Sequence, residues 1–193
     1  MERICVFCGS NPGASPAYAQ AAAHMGTRLA ERGVTLIYGG GRVGLMGVLA
    51  DAVLAAGGRA IGVIPRALEA REVAHTGLTE LRVVSSMHER KALMSELADG
   101  FIALPGGIGT MEEWFEVWTW GQLGIHSKPL GMLNVSGYYD HLLAFFDRMV
   151  EDRFLAGSHR SMAIVEEKPD VLLDRLASYV PPRTEKWLDR TGR

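Results

Sequence analysis

The sequence predicts an α/β fold, a Rossmann-like, doubly wound and mostly parallel sheet with helices on both faces. Three observations carry this reading. Short apolar runs alternate with helical stretches along the chain, as successive βα units require. Several of the runs are almost uninterrupted in apolar residues, which suits strands covered on both faces. Glycine-bearing turns follow three of the strands, and sheets of this kind bind ligands beyond their strand C-termini.

Strands are expected at Arg3–Cys8, Thr35–Tyr38, Arg59–Ile64, Leu81–Val84, Gly100–Leu104, Leu130–Asn134 and Ala163–Val165. Helices are expected at Pro16–Arg32, Gly44–Ala56, Met87–Ala98, Thr110–Leu123, Tyr138–Glu151 and Asp170–Ser178. Punctuation supports them. Ser15-Pro16 offers an N-cap followed by an N1 proline. Gly33 and Gly57 stand where C′ glycines belong. Ser86-Met87-His88-Glu89 has the form of a capping box. A chain of 193 residues has room for one such domain. Residues 1–180 are expected to form it, and the Pro-led, polar stretch 181–193 a C-terminal tail.

Composition excludes several classes of function. Lys and Arg number 20 against 22 Asp and Glu, a formal net charge of −2, so the chain has no electrostatic reason to coat nucleic acid or an anionic membrane. No apolar run approaches the ~18 residues of a membrane span. The opening MERICVFCGSNPG has neither the basic region nor the long apolar stretch of a signal peptide. A cytoplasmic protein is expected. Cys5 and Cys8 form a C-x-x-C, but residues three apart on a strand point to opposite faces, and no second cysteine pair completes a zinc site. They are read as buried strand cysteines. The six histidines show no H-E-x-x-H or other short pairing, so no metal site is expected.

The three glycine turns are Gly9-Ser10-Asn11, Gly39–Gly47 and Pro105–Gly109. Glycine lets backbone approach a ligand closely, and a helix starting there aims free N–H groups and a positive dipole end at the loop, so such turns bind phosphate. Gly39-Gly40-Gly41-Arg42-Val43-Gly44 matches G-x-G-x-x-G. A nicotinamide site would need this loop after the first strand, with an acidic residue about 20 positions on; neither condition holds, and no dinucleotide cofactor is expected. The third turn, Pro105-Gly106-Gly107-Ile108-Gly109-Thr110, follows a buried strand and opens a helix bearing Glu112, Glu113 and Glu116. It is not a Walker loop, lacking Gly-Lys-Ser/Thr. Glu112 and Glu116 are four apart on one helix face and suit a dipole role. Glu113 lies about 100° further round and can face the cradle.

Pro105-Gly106-Gly107-Ile108-Gly109-Thr110-Met111-Glu112-Glu113 resembles the P-G-G-x-G-T-x-x-E signature of the LONELY GUY family. Met87-His88-Glu89-Arg90-Lys91 resembles that family's second motif, and Gly39–Gly47 its first glycine loop. Similarity extends through Thr119–His126 and Asn134–Tyr139, so it covers roughly residues 1–180. The family resembled releases an adenine-type base and ribose 5-phosphate from cytokinin riboside 5′-monophosphates, and many members accept AMP. The resemblance implies a single nucleotide-binding catalytic domain, no metal or cofactor, and a homodimer with composite sites. It also implies Arg90 and Glu113 as catalytic residues. Ile108 replaces a common Tyr and Gly121 a common Ala, departures that bear on base preference.

N-glycoside hydrolysis passes through an oxocarbenium-like ribose. Glu113 can stabilise that cation or act as general base toward water. Arg90, always charged, can clamp the phosphate or polarise the leaving purine. The phosphate is expected at the N–H groups of Gly106, Gly107, Ile108, Gly109 and Thr110 and at the Thr110 hydroxyl. Ser10, Gly40 and Gly41 are expected to line the same crevice. Met111 and Glu112, next in the motif, join the substrate-binding set. Lys91 either contacts the ligand or is simply exposed, and Met46 and Met87 are candidates for packing on a base. Glu72 and Thr119 are placed near the ligand by the resemblance alone. The helix Trp114–Trp120 carries aromatic residues on more than one face. A symmetric dimer would cover them, as would the chain's own helices. Two rivals stand beside the enzyme. One is a non-catalytic nucleotide-binding or sensor module of the same fold. The other is a pyridoxal-phosphate lysine decarboxylase, a label often attached to the family, which needs a Schiff-base lysine.

Overall fold

The computed structural model describes residues 1–69 and 74–182. Seven strands form a single parallel sheet: β1 (Arg3–Phe7), β2 (Thr35–Tyr38), β3 (Ala60–Pro65), β4 (Glu80–Val84), β5 (Gly100–Ala103), β6 (Leu130–Leu133) and β7 (Ala163–Glu166). Their order is β4-β3-β2-β1-β5-β6-β7, so the chain winds one way from β1 and then restarts at β5 on its other side. The switch point therefore lies between β1 and β5, where such sheets place their ligands.

Each expected helix is present: α1 (Pro16–Glu31), α2 (Gly44–Ala55), α4 (Met87–Leu97), α5 (Ile108–Gln122), α6 (Asp140–Glu151) and α8 (Pro169–Ala177). Two single-turn helices, α3 (Arg66–Glu69) and α7 (Gly157–Arg160), are too short to leave a period in the sequence. α5 starts two residues before the expected Thr110 because Gly107 takes the N-cap position. α6 starts at Asp140 because a 3-10 turn over Val135–Gly137 precedes it, with Ser136 at φ 53° and Gly137 at φ 72°. Of the expected tail, only Pro181 and Pro182 fall within the described residues. No helix among them is long and apolar enough to cross a membrane.

The sheet divides the core in two. Ile4, Val6 and Cys8 face α1, α2 and α8, whereas Cys5 and Phe7 face α4, α5 and α6. The C-x-x-C thus splits across the sheet as strand geometry requires, and both thiols are free and buried. The aromatic helix finds its cover inside the chain. Trp114, Phe115 and Trp118 of α5 close on Phe146 of α6, with Trp114 and Trp118 centroids at 4.9 Å and Trp118 and Phe146 also at 4.9 Å. The indole N–H groups of Trp114 and Trp118 donate to the Gly131 and His159 carbonyls, each at 3.1 Å, so no buried donor is lost.

Two glycines hold the α1–α2 face together in different ways. Gly33, at φ 68°, closes α1 in a Schellman motif: its N–H reaches the Ala30 carbonyl, and that of Val34 the Leu29 carbonyl, each at 2.9 Å. Gly26 is a close-approach residue, since a Cβ there would meet the Leu49 carbonyl oxygen of α2 at 2.5 Å. We expect Gly33→Ala to cost about 1 kcal/mol, the penalty of an L-residue at positive φ. Gly26→Ala should cost more, about 2–3 kcal/mol, because backbone must move to relieve the overlap. Urea unfolding checks both, the midpoint falling further for Gly26→Ala at unchanged slope.

Candidate active site

Three neighbouring strands, β2, β1 and β5, deliver the three glycine turns to one edge of the sheet. The β1 and β5 turns are stitched together. Leu104 N–H donates to the Phe7 carbonyl at 2.9 Å, and Gly9 N–H to the Pro105 carbonyl at 3.1 Å. The α2 N-terminus joins them, because Leu45 N–H donates to the Gly9 carbonyl at 2.9 Å. A side chain at Gly44 would strike the Ser10 carbonyl carbon at 2.3 Å.

Two cavities open at this junction, and Ser10 and Gly107 border both. The larger, about 310 Å³, is lined by Cys8, Ser10, Met46, Leu68, Met87, Arg90, residues Gly107 to Thr110, Glu112 and Glu113. The other, about 270 Å³, has Tyr18, Tyr138 and Leu45 in its walls. Tyr138 is fixed by donating its hydroxyl to the Gly106 carbonyl at 2.5 Å.

The cradle is built from α5. Gly107 is its N-cap, and Met111 N–H makes the first helical bond, to the Gly107 carbonyl. The N–H groups of Ile108, Gly109 and Thr110 lie in the first turn, where helix geometry offers no partner. The glycines have distinct reasons. A Cβ on Gly106 would overlap the buried Thr110 hydroxyl at 2.1 Å, whereas one on Gly107 or Gly109 would meet nothing within 4 Å. Gly106 packs the loop, and Gly107 leaves space at the mouth of the helix.

Arg90 is 5% exposed. It sits on α4, whose start is set by Ser85, Ser86 and Glu89. Ser86 Oγ accepts the Glu89 N–H at 3.1 Å. Glu89 reaches back one residue further than a capping box prescribes, accepting from the Ser85 N–H at 2.8 Å and hydroxyl at 2.5 Å. The Ser85 hydroxyl and N–H hold the Glu89 carboxyl below its ordinary value. The guanidinium then crosses to β2, where Nη2 donates to the Gly39 carbonyl at 3.0 Å. Any side chain at Gly39 would lie 2.0 Å from that nitrogen, so the first glycine of G-x-G-x-x-G makes room for a cation. Met46 and Met87 stand beside it, and Met87 Sδ is 3.7 Å from Nη1.

Glu113 faces the cavity. Glu112 borders it too, and together with Glu116 takes Lys91, whose ammonium donates to them at 2.5 and 3.1 Å. Burial opposes the charge on Lys91, but these hydrogen bonds outweigh it and hold the ammonium above its ordinary value. Burial, and after it the Glu113 carboxylate, pushes the Cys8 thiol up, so it stays protonated. Cys8 is therefore a wall of the cavity and no thiolate nucleophile.

Not every expected residue meets at this cavity. Gly40 and Gly41 lie behind Arg90, paired with His75 and Ala74, and do not line it. Lys91 braces α4 to α5. Met111 packs on the core, and Thr119 is exposed, about 9 Å further along α5 than Glu113. Glu72 lies outside the described residues. Leu68, Cys8 and Tyr138 border the two cavities without having been singled out. Tyr138 alone left a signal, in the Asn134–Tyr139 stretch. Among the described residues no group of three or more His, Cys, Asp and Glu side chains is disposed to hold a metal ion.

Residues 46–176 match a family model described as "Possible lysine decarboxylase". Curated relatives carry a more specific name. The cytokinin riboside 5′-monophosphate phosphoribohydrolase LOG1 of Arabidopsis thaliana is 49% identical over 185 residues, 96% of this chain and 86% of its own. The enzyme LOG of Oryza sativa subsp. japonica, of the same name, is 51% identical over 180 residues, 93% of this chain and 74% of its own. Among solved structures, the molybdenum cofactor binding protein of Rippkaea orientalis superposes with a TM-score of 0.69 at 19% identity, over 92% of this chain and 97% of its own. That likeness concerns the fold alone.

A substitution at Gly107 tests the cradle apart from folding. Gly107→Ala should melt within about 2 °C of the parent, since its new methyl meets no protein atom and its backbone is not left-handed. Its affinity for ribose 5-phosphate by calorimetry should fall at least about tenfold, or ~1.4 kcal/mol, as the methyl enters the cradle.

Proposed function

The chain belongs to the LONELY GUY family of cytokinin riboside 5′-monophosphate phosphoribohydrolases, and from that premise we propose that it hydrolyses the N-glycosidic bond of adenine-type nucleoside 5′-monophosphates. The observation that carries this reading is one cavity lined by Arg90, Glu113 and the Gly107–Thr110 helix mouth. A buried cation, a carboxylate and a phosphate cradle are the parts the reaction needs. Water adds at C1′ as the C1′–N9 bond breaks. The bonding pair leaves with the purine, which gains a proton, and ribose 5-phosphate remains.

In the proposed roles, the α5 N-terminus and Thr110 hold the phosphate by N–H donors and dipole. Glu113 offsets the positive charge that develops on the ribose and takes the proton of the attacking water. Arg90 keeps its charge throughout, so it acts by electrostatics and by orientation. Its anchorage on the Gly39 carbonyl means that little reorganisation is required as charge develops. Ser10, Met46 and Met87 border the remaining space for sugar and base.

A decarboxylase would need a lysine for its Schiff base with pyridoxal phosphate. Among the described residues no lysine lines either cavity at the switch point. Lys91 is taken by Glu112 and Glu116, and Lys128 Nζ donates to the Ser95 carbonyl at 2.7 Å. The residues do not fit that cofactor, and no step is routed through it.

We place the enzyme in the cytoplasm, in keeping with its free thiols, and as a homodimer with sites near the interface. The dimer is supported by apolar side chains at the cavity rim, Ile108 at 90% and Met87 at 40% exposure, and by Leu123 and Ile125 at the far end of α5, also exposed. Light scattering should give twice the 21.0 kDa chain mass; a monomer at that mass would overturn the dimer.

Incubation with AMP and with N6-isopentenyl-AMP should release free base from the monophosphates and not from the nucleosides. Glu113→Gln should bind AMP yet lose about 10²–10⁴-fold in kcat, the usual worth of a positioned acid or base. Retained turnover in that variant would remove Glu113 from the chemistry. Tight AMP binding by the parent with no base release would identify a binding module instead.

A further inference from the structure

The Gly39 carbonyl is one anchor of Arg90, and it belongs to a run of three glycines. Gly40 sits at φ 76°, a region glycine enters without preferring it. Something else must hold residues 39–41 in this conformation, and the candidate is His75. It is 6% exposed and touches neither cavity.

His75 is bound at three points. Its backbone N–H donates to the Gly40 carbonyl at 3.0 Å. Ring Nδ1 accepts the Gly77 N–H at 3.1 Å. Ring Nε2 lies 2.9 Å from Asp51 Oδ1 on α2. Because Nδ1 accepts, a neutral ring carries its proton on Nε2 and donates it to Asp51. The residue before it, Ala74, forms an antiparallel bridge with Gly41. Residues 74 and 75 therefore run as a splint beside Gly40 and Gly41, and the imidazole fastens that splint to α2. Nothing in the phosphate cradle or the chemistry of Glu113 calls for a buried imidazole here.

We propose that the Asp51–His75 pair is a positioning device for Arg90, holding the Gly39–Gly41 loop in the conformation that presents the Gly39 carbonyl to the guanidinium. Neither residue touches substrate; both act through the loop. The inference rests on the reading of Arg90 as the charge that serves base release. Loss of the clamp lets the carbonyl shift, and a displacement of about 1 Å at a catalytic group costs on the order of 10²-fold in rate.

The test is kinetic coupling. Base release from AMP is measured for His75→Ala, Asp51→Ala and Asp51→Asn, each also in the Arg90→Ala background. His75→Ala and Asp51→Ala should lower kcat by about ten- to a hundredfold, with KM and ribose 5-phosphate affinity changed by no more than about twofold. Asp51→Asn keeps an oxygen acceptor for Nε2–H and should stay near the parent. In the Arg90→Ala background none of the three should lower kcat further, since residues acting as a unit are not additive. A full additional loss there would overturn the proposal, as would equal losses for Asp51→Ala and Asp51→Asn. If His75→Ala does not fold, Asp51→Ala decides alone, because the Asp51 side chain is 67% exposed and its removal leaves no buried hole. If the parent releases no base, the proposed function fails, and the positioning role is read by 15N NMR of the Arg90 guanidinium, assigned from Arg90→Lys. Loss of the parent's resolved, slowly exchanging signal in Asp51→Ala supports the clamp, and an unchanged signal overturns it.

Discussion

The pairing of β1 with β5 is the constraint on which the rest of the structure depends. These strands are far apart in sequence and adjacent in the sheet, with Val6 opposite Ile102 and Phe7 opposite Ala103. Their ends continue the ladder into the loops through Leu104 to Phe7 and Gly9 to Pro105. That continuation holds the turn after β1 against the mouth of α5. Because β2 lies on the other side of β1, the G-x-G-x-x-G turn arrives at the same edge. The switch point thus gathers three chain segments whose separation is set by backbone hydrogen bonds, and the side chains that line the cavity inherit that rigidity.

Onto this frame the protein places a buried cation. Removing a guanidinium from water is costly unless its donors are met, and Arg90 meets the Gly39 carbonyl at a distance only glycine permits. The opposite logic rules at Gly107, where a side chain would meet no protein atom within 4 Å and the cavity begins. Two glycines of similar appearance in the sequence thus do different things, one admitting a side chain of the protein and one leaving open space at the mouth of α5. The carboxylates of α5 divide in the same manner. Glu112 and Glu116 satisfy Lys91, so the helix that presents Glu113 is braced to the helix that presents Arg90.

Much of this was legible from residues alone. Alternation of apolar runs with helical stretches located all seven strands, because buried parallel strands and amphipathic helices differ in period and length. Ser15, Ser86 and Gly33 marked helix ends by local chemistry, which does not wait for tertiary contacts. α3 and α7 left no trace because one turn is shorter than any helical period. The start of α5 was set two residues late because Gly107 caps without a side-chain signal. Helical angle separated Glu113 from Glu116, which stays outside the cavity, but not from Glu112, which borders it as well. The same reasoning had no means of showing that Lys91 spans to Glu112 and Glu116, or that the indoles of Trp114 and Trp118 are covered by Phe146.

The sequence by itself determined the class of fold and the glycine turn that opens α5, since these rest on local periodicity and on a contiguous motif, and it pointed to Arg90 and Glu113 through the family resemblance of those motifs. Only the tertiary structure decided which glycine loop holds the cation, that Gly40 and Gly41 pair with His75 and Ala74 rather than line the cavity, and that the His75 ring meets Asp51. Those facts join α2, β2, α4 and the turn at residues 74–77 across long stretches of chain. Hydrogen bonds between such distant segments depend on how the sheet orders its strands, and strand order is a property of packing that no local pattern encodes.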